Sequence, residues 1–173
     1  MTRHVLLGIG SNLDPHRHIV ACLDALQERF GPLEISRVFE SPAVGLESPD
    51  HFHNLVVAFE SAAPVGDLRA WCKALELAQG RLANSSTSGS HTLDIDLLCV
   101  GELTGNIDGV VLPRGDIERY AFVLKPLAEL LPEACHPQNG LTYAALWAAF
   151  DATEQPLWPI DFRWRERRIS WPD

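Results

Sequence analysis

The stretch Leu93-Asp94-Ile95-Asp96-Leu97-Leu98-Cys99-Val100 decides the fold of this chain. It alternates apolar and acidic residues and then runs apolar, which is typical of a buried strand. Serine-rich sequence precedes it and Gly101 follows it. Because side chains at i and i+2 of a strand share one face, Asp94 and Asp96 are predicted to point the same way. The alternating apolar residues between them are predicted to face a core.

Two carboxylates on one face of a strand repel each other unless a cation lies between them. Carboxylate oxygens are hard ligands of the kind that Mg2+ prefers. A strand with one solvated face could also carry the pair, although aspartate is a poor strand former. The stretch by itself therefore leaves both a cation site and a solvated strand face open.

The bulk properties favour one domain of an ordinary globular protein. The chain has 173 residues, 46% hydrophobic and 21% charged, which is enough for a single hydrophobic core. Its net charge of -9 argues against a nucleic-acid surface, which usually needs a basic patch. A small substrate that carries phosphate stays possible, because a few basic residues can act locally in an acidic protein.

Cysteine spacing and the amino terminus predict a soluble, cytoplasmic protein with no membrane partner. The four cysteines contain no C-x-x-C pair, and three of them lie in apolar segments; they are Cys22, Cys72, Cys99 and Cys135. We therefore predict reduced thiols and neither disulfides nor a zinc site. No signal-peptide pattern and no apolar run of membrane-spanning length is present.

The elements before and including the aspartate stretch follow the order strand, helix, strand, strand, helix, strand. The predicted strands cover residues 5–10, 33–40, 52–60 and 93–100, and the predicted helices cover 15–30 and 67–82, the second capped by Asp67. This order is the split βαβ pattern. We therefore predict an α+β fold with a ferredoxin-like βαββαβ core and an antiparallel sheet.

The rest of the chain is predicted to add helices and a tail to this core. Two C-terminal helices are predicted at residues 120–131 and 143–150, after a polar excursion at 102–109. The tail combines tryptophans with arginines, and we expect it to pack on the body or to extend from it. The predicted organisation is a single domain over residues 1–150 with a C-terminal extension over 151–173.

Seven short motifs stand along the first 150 residues. They are Gly10-Ser11-Asn12-Leu13, Ser41-Pro42 with Gly45, Phe52-His53-Asn54, Glu76 with Gly80-Arg81, His91-Thr92-Leu93-Asp94-Ile95-Asp96, Leu112-Pro113, and Phe122 with Pro126-Leu127. Their order and spacing resemble those of the 6-hydroxymethyl-7,8-dihydropterin pyrophosphokinase family, which acts in folate biosynthesis. The resemblance covers roughly residues 4 to 150.

The resemblance implies an ATP- and Mg2+-dependent enzyme. The family transfers a pyrophosphoryl group from ATP to the hydroxymethyl oxygen of the pterin and releases AMP. By resemblance, Asp94 and Asp96 hold two Mg2+ ions that bridge the ATP phosphates. The resemblance also implies that Arg81 and His91 act in catalysis and bind ATP, and that Arg114 binds ATP. The partners would be small molecules, and a monomer is the default.

The resemblance further implies a pterin pocket formed by Ser41, Pro42, Val44, Phe52, Asn54 and Phe122. The physical roles are plausible, because Phe122 offers a stacking face and the Asn54 amide can both donate to and accept from the ring edge. Without the resemblance, Asn54 would be interpreted as a polar residue inside a strand and Phe122 as a core aromatic. Glu76 receives only a structural or supporting role.

The chain departs from the family pattern at several basic positions. A tryptophan of the family is replaced in the Thr87-Ser88-Gly89 stretch. At the basic positions, His91 stands where the family has arginine, Arg114-Gly115 replaces a His-Tyr pair, and Ala83 and Tyr120 each replace a basic residue. These changes remove positive charge that would hold the triphosphate, and they put the activity in doubt. Three hypotheses therefore stay open: a pyrophosphokinase, a non-catalytic homologue that binds pterin or nucleotide, and a pyrophosphokinase with a changed acceptor.

Overall fold

The computed structural model describes residues 1–43, 50–80 and 92–173. In these ranges the strands are β1 (Arg3–Ser11), β2 (Glu34–Ile35), β3 (Phe39–Ser41), β4 (Phe52–Ser61), β5 (Asp94–Val100), β6 (Gly105–Ile107), β7 (Val110–Leu112), β8 (Trp158–Pro159), β9 (Phe162–Trp164) and β10 (Arg167–Ser170). The helices are α1 (Pro15–Phe30), α2 (Val65–Ala78), α3 (Asp116–Arg119), α4 (Ala121–Leu130) and α5 (Tyr143–Ala148).

The main sheet confirms the predicted α+β fold. Its strand order is β5-β1-β4-β3-β8, and β2 also pairs with β4. The pairings of β1 with β4 and β5, and of β3 with β4, are antiparallel. Counting β2 and β3 as one broken strand, the four core strands stand in the spatial order fourth, first, third, second, which is the ferredoxin-like arrangement.

Helices cover the sheet on both faces, so its central strands are apolar on both sides. Val5, Leu7 and Ile9 of β1 pack in one core with buried residues of α1 and α2. Leu6 lies in a second core with residues of α4 and α5 on the opposite face. The alternating apolar residues of the aspartate stretch, Leu93, Ile95 and Leu97, all belong to the first core, as predicted. Asp94 and Asp96 therefore face the α4 side.

Three local predictions were wrong in detail. The strand predicted over 33–40 is broken into β2 and β3, because the Ser36 hydroxyl accepts from the Val56 backbone N–H at 2.8 Å and replaces a ladder bond. Helix α2 begins after Pro64, so Asp67 lies in its first turn and does not cap it. The polar excursion contains the β6–β7 hairpin, turned by Asp108 and Gly109 with φ of 54° and 84°.

The C-terminal residues pack against the sheet and its helices. Strand β8 pairs with β3 at the sheet edge, and β9 and β10 form a hairpin. Trp164 of β9 is 2% exposed in the core formed by α1 and α2, and its indole N–H donates to Asp24 at 2.9 Å. The division into a domain over 1–150 and an extension over 151–173 stays a prediction.

The cysteines are free thiols, of which Cys22, Cys72 and Cys99 are buried and Cys135 is exposed. Burial raises the pKa of the Cys99 thiol to about 11, so the thiol stays protonated at neutral pH. Three of the four thiols are therefore buried, in keeping with their position in apolar segments of the sequence. In the described part of the chain, no helix combines the length and the apolar character needed to cross a membrane.

Candidate active site

A cleft between the sheet and α4 brings several predicted site residues together. Asp94 and Asp96 of β5, Asn54 of β4 and Phe122 of α4 all line it. Three adjacent strands supply its floor, because β1 lies between β4 and β5. The structure thus places the two carboxylates beside a side-chain amide and an aromatic ring.

Glycines of β1 open the space over the floor of this cleft. Gly10 is paired with Asp94 on one side and with Asn54 on the other. A Cβ atom added at Gly10 would lie 2.5 Å from the Asn54 Oδ1 atom, so any side chain there would displace the amide. The missing side chain therefore lets the Asn54 amide lie over β1, next to the aspartates.

The aspartate pair has unfavourable electrostatics that a cation would relieve. Burial raises the pKa of Asp96 well above its usual range, and the neighbouring carboxylate of Asp94 adds to the rise. Arg114 opposes it with an ion pair to Asp96 at 3.5 Å and is itself held by Asp116 at 2.9 Å. The Arg114 guanidinium is thus shared between Asp96 and Asp116.

The donor set of the pair fits Mg2+. Both side chains offer only carboxylate oxygens, and no cluster of three or more histidine, cysteine, aspartate or glutamate ligands occurs in residues 1–43, 50–80 and 92–173. Magnesium commonly takes one or two protein carboxylates and completes its shell with water and substrate phosphates. Asp94 and Asp96 therefore suit a magnesium ion that also binds a phosphorylated substrate.

Glu76 supports the site, and its spacing in the sequence predicts no definite role for it. It is 4% exposed on α2, and its carboxylate accepts a hydrogen bond from the Ile95 backbone N–H at 2.7 Å. Ile95 lies between the two aspartates, so Glu76 fixes the backbone that carries them. The nearby Lys73 ammonium, 3.3 Å away, partly compensates the buried charge.

A second cavity, of about 250 Å³, shares Phe122 with the cleft as a lining residue. Ser41 and Pro42 line it together with Phe122. Phe52 is paired with Ser41 across β3 and β4 and is half-buried. Most of the predicted pterin residues are thus neighbours in space. Val44, Arg81 and His91 lie outside the described residues.

A third cavity, of about 360 Å³, has three arginines and Asp116 among its lining residues. The arginines are Arg69 on α2, Arg114 just before α3, and Arg119 at the end of α3. Arg114 also pairs with Asp96 at 3.5 Å, so one arginine of this cavity contacts the aspartate pair. Arg114 was predicted as an ATP ligand, whereas Arg69 was missed, because it lies in no motif and only the packing of α2 beside β7 brings it here. The arrangement can hold a polyanion next to the carboxylates.

Sequence comparison finds similar proteins over most of the chain. Residues 6–132 match the model of the 7,8-dihydro-6-hydroxymethylpterin-pyrophosphokinase family. A 2-amino-4-hydroxy-6-hydroxymethyldihydropteridine pyrophosphokinase of Pseudomonas aeruginosa is 33% identical over 142 residues, which are 80% of this chain and 87% of that protein. The enzyme of the same name from Porphyromonas gingivalis is 34% identical over 140 residues, covering 78% of this chain and 94% of its own.

Solved structures share the fold. The Plasmodium falciparum HPPK-DHPS structure with pterin and p-hydroxybenzoate superposes with a TM-score of 0.69 at 14% identity, covering 98% of this chain and 48% of that chain. An HPPK-DHPS structure in complex with substrates gives a TM-score of 0.68 at 11% identity and covers 85% and 43%. This chain spans about half the length of those two structures, and the likeness concerns the fold alone.

Proposed function

The chain belongs to the 7,8-dihydro-6-hydroxymethylpterin-pyrophosphokinase family, and from this premise we propose that it pyrophosphorylates 6-hydroxymethyl-7,8-dihydropterin in folate biosynthesis. The pyrophosphoryl group would come from ATP and pass to the hydroxymethyl oxygen, with release of AMP. The observation that carries the proposal is the shared cleft of Asp94, Asp96, Asn54 and Phe122. It combines a cation site with groups suited to a flat, hydrogen-bonding ring.

Asp94 and Asp96 would hold the magnesium, two ions by the family resemblance. When bound, the metal neutralises polyphosphate charge and favours attack at the β-phosphorus. The chain's own contribution is to keep both carboxylates on one strand face, with the backbone between them fixed by Glu76. Arg114 pairs with Asp96, so its guanidinium would be close to a phosphate bound through the metal.

The acceptor would lie against Phe122, with its ring edge toward Asn54. An aromatic face stacks on a flat heterocycle, and a side-chain amide can both donate to and accept from the ring edge. Ser41, Pro42 and Phe52 would complete this pocket, with Val44 as a further predicted member. Burial of the ring on several sides would leave its hydroxymethyl group directed to the carboxylates, which is the orientation that transfer requires.

The arginine cavity would bind the ATP phosphates. Its positive charge comes from Arg69, Arg114 and Arg119. These arginines would take over the role of the basic residues that the family has at the positions changed in this chain. Phosphoryl transfer depends chiefly on positioning and on compensating the charge of the phosphate oxygens. Arg81 and His91 stay predicted ATP-binding and catalytic residues.

The test is AMP formation from ATP and Mg2+, measured with and without 6-hydroxymethyl-7,8-dihydropterin. We expect pterin-dependent AMP, and we expect Asp94→Asn to lower kcat by a factor on the order of 100 or more, because one charged metal ligand is lost. Asp161→Asn, an exposed aspartate of the C-terminal residues, is the matched control and should keep full activity. Pterin binding by fluorescence titration without any AMP would instead identify a non-catalytic homologue.

A further inference from the structure

The cavity beside Phe122 has a wall that comes from the C-terminal residues. Ser41, Pro42, Ala43, Ala121 and Phe122 line one side, and residues 154–157 line the other. We call this segment, Glu154-Gln155-Pro156-Leu157, the C-terminal wall. It lies beyond residues 6–132, which match the family model, so it is a feature of this chain outside the matched region.

Gln155 holds the wall against the start of α4. Its side-chain carbonyl accepts from the Ala121 backbone N–H at 2.8 Å, and its amide donates to the Arg119 carbonyl at 3.1 Å. Ala121 directly precedes Phe122, the aromatic face of the cavity. On the other side, Trp158 pairs with Glu40 across β8 and β3, which fixes the end of the wall beside Ser41. The wall is therefore held at both ends.

A buried polar atom in the same cavity indicates a ligand. Ser41 is 4% exposed, and its Oγ atom has no hydrogen-bond partner in the described part of the chain. A buried hydroxyl without a partner costs free energy, which a bound molecule with a polar edge would recover. Pro156 and Leu157 on the wall offer apolar contact to the same molecule, so the cavity has both a polar and an apolar side.

We propose that the C-terminal wall is part of the acceptor-binding site, in which Leu157 contacts the pterin and Gln155 positions the wall. This inference rests on the proposed function and extends it to the C-terminal residues. It makes acceptor affinity depend on a segment that can vary independently of the metal-binding strand. Leu157 lines the cavity beside Phe122 and not the arginine cavity, so a change at Leu157 should affect acceptor binding and leave nucleotide binding unchanged.

The experiment uses the full chain and two separate titrations, one with 6-hydroxymethylpterin and one with α,β-methylene-ATP and Mg2+. We expect Leu157→Ala to weaken pterin binding about tenfold, because the shortened side chain no longer covers an apolar part of the ligand. Gln155→Ala should weaken it by a similar factor, whereas Leu157→Met, which keeps the side-chain volume, should stay within about threefold of the wild type. The nucleotide affinity of the two Leu157 variants should equal that of the wild type.

Arg168→Ala is the matched control, because it breaks an exposed ion pair with Asp161 elsewhere in the C-terminal residues. It should change neither titration. Wild-type pterin binding that is equally strong in Leu157→Ala and Gln155→Ala would overturn the inference and leave the proposed function standing. A wild-type chain that binds the nucleotide and no pterin would overturn the proposed function, and the inference with it.

Discussion

Gly10 shows how a single missing side chain shapes the site. It stands on the central strand between Asp94 and Asn54, so any group added there would project into the cleft. The nearest atom to an added Cβ is the Oδ1 at the end of the Asn54 side chain, which can rotate away. A substitution at Gly10 should therefore displace the Asn54 amide and lower the stability of the sheet only slightly.

We predict that Gly10→Ala raises the KM for the pterin about tenfold, with kcat and the unfolding free energy little changed, because a displaced amide no longer meets the ring edge. Steady-state kinetics at saturating ATP and urea denaturation measure the two effects. Gly8→Ala is the matched comparison on the same strand face, since its added Cβ would lie 3.6 Å from the Leu98 side chain, an ordinary contact. Equal KM values for the two variants would contradict the role given to the Asn54 amide.

At the scale of elements, α2 and β5 act as one unit. Among the described residues, strand β5 lies at the edge of the main sheet, so the Ile95 N–H meets no further strand on its outer side. The Glu76 carboxylate on α2 accepts a hydrogen bond from this N–H at 2.7 Å. A side chain therefore satisfies a backbone donor at the edge of the sheet. The helix thereby holds the strand segment on which both aspartates stand.

Glu76→Ala should lower the unfolding free energy by about 1 to 3 kcal/mol, because it leaves a buried backbone donor unpaired. It should also lower kcat, since the aspartates lose their fixed backbone. Glu76→Gln keeps an oxygen acceptor at the same place and should recover most of the stability and the activity. Urea denaturation and the AMP assay measure both. A Gln variant as inactive as the Ala variant would show that the charge of Glu76, and not its hydrogen bond, is what the site needs.

Sequence patterns predict helices and strands well where the local residue pattern and the tertiary packing favour the same structure. The placement of Asp94 and Asp96 on one strand face follows from the period of two, and the order of elements predicts the ferredoxin-like core. The break at Ser36 could not be predicted, because it depends on a hydroxyl bonding a strand that is distant in the chain. The Asp108-Gly109 turn carried a local signal that was missed. Arg69 reaches the site only through tertiary packing, for which the sequence has no local signal.

At the scale of the whole molecule, the C-terminal residues are tied to the body at several points. Arg37, before β3, pairs with both Glu129 of α4 and Asp173 at the chain end. The Ser170 hydroxyl accepts from the Val38 N–H at 2.8 Å. These contacts join the sheet, α4 and the last residues, so the C-terminal wall rests on a structured segment. Residues 151–173 should therefore unfold together with the rest of the chain.

Trp164→Ala tests this cooperativity, because Trp164 is the largest C-terminal side chain in the core. We predict that it lowers the unfolding free energy by about 3 to 5 kcal/mol, through the cavity it leaves and the lost bond to Asp24. Trp171→Ala, which removes an exposed indole beside Arg37, should cost less than about 1 kcal/mol. Urea denaturation followed by far-ultraviolet circular dichroism should show one transition in each protein. Two separate transitions would mean that the extension folds independently of the domain over residues 1–150. Equal losses for the two tryptophans would contradict the core role given to Trp164.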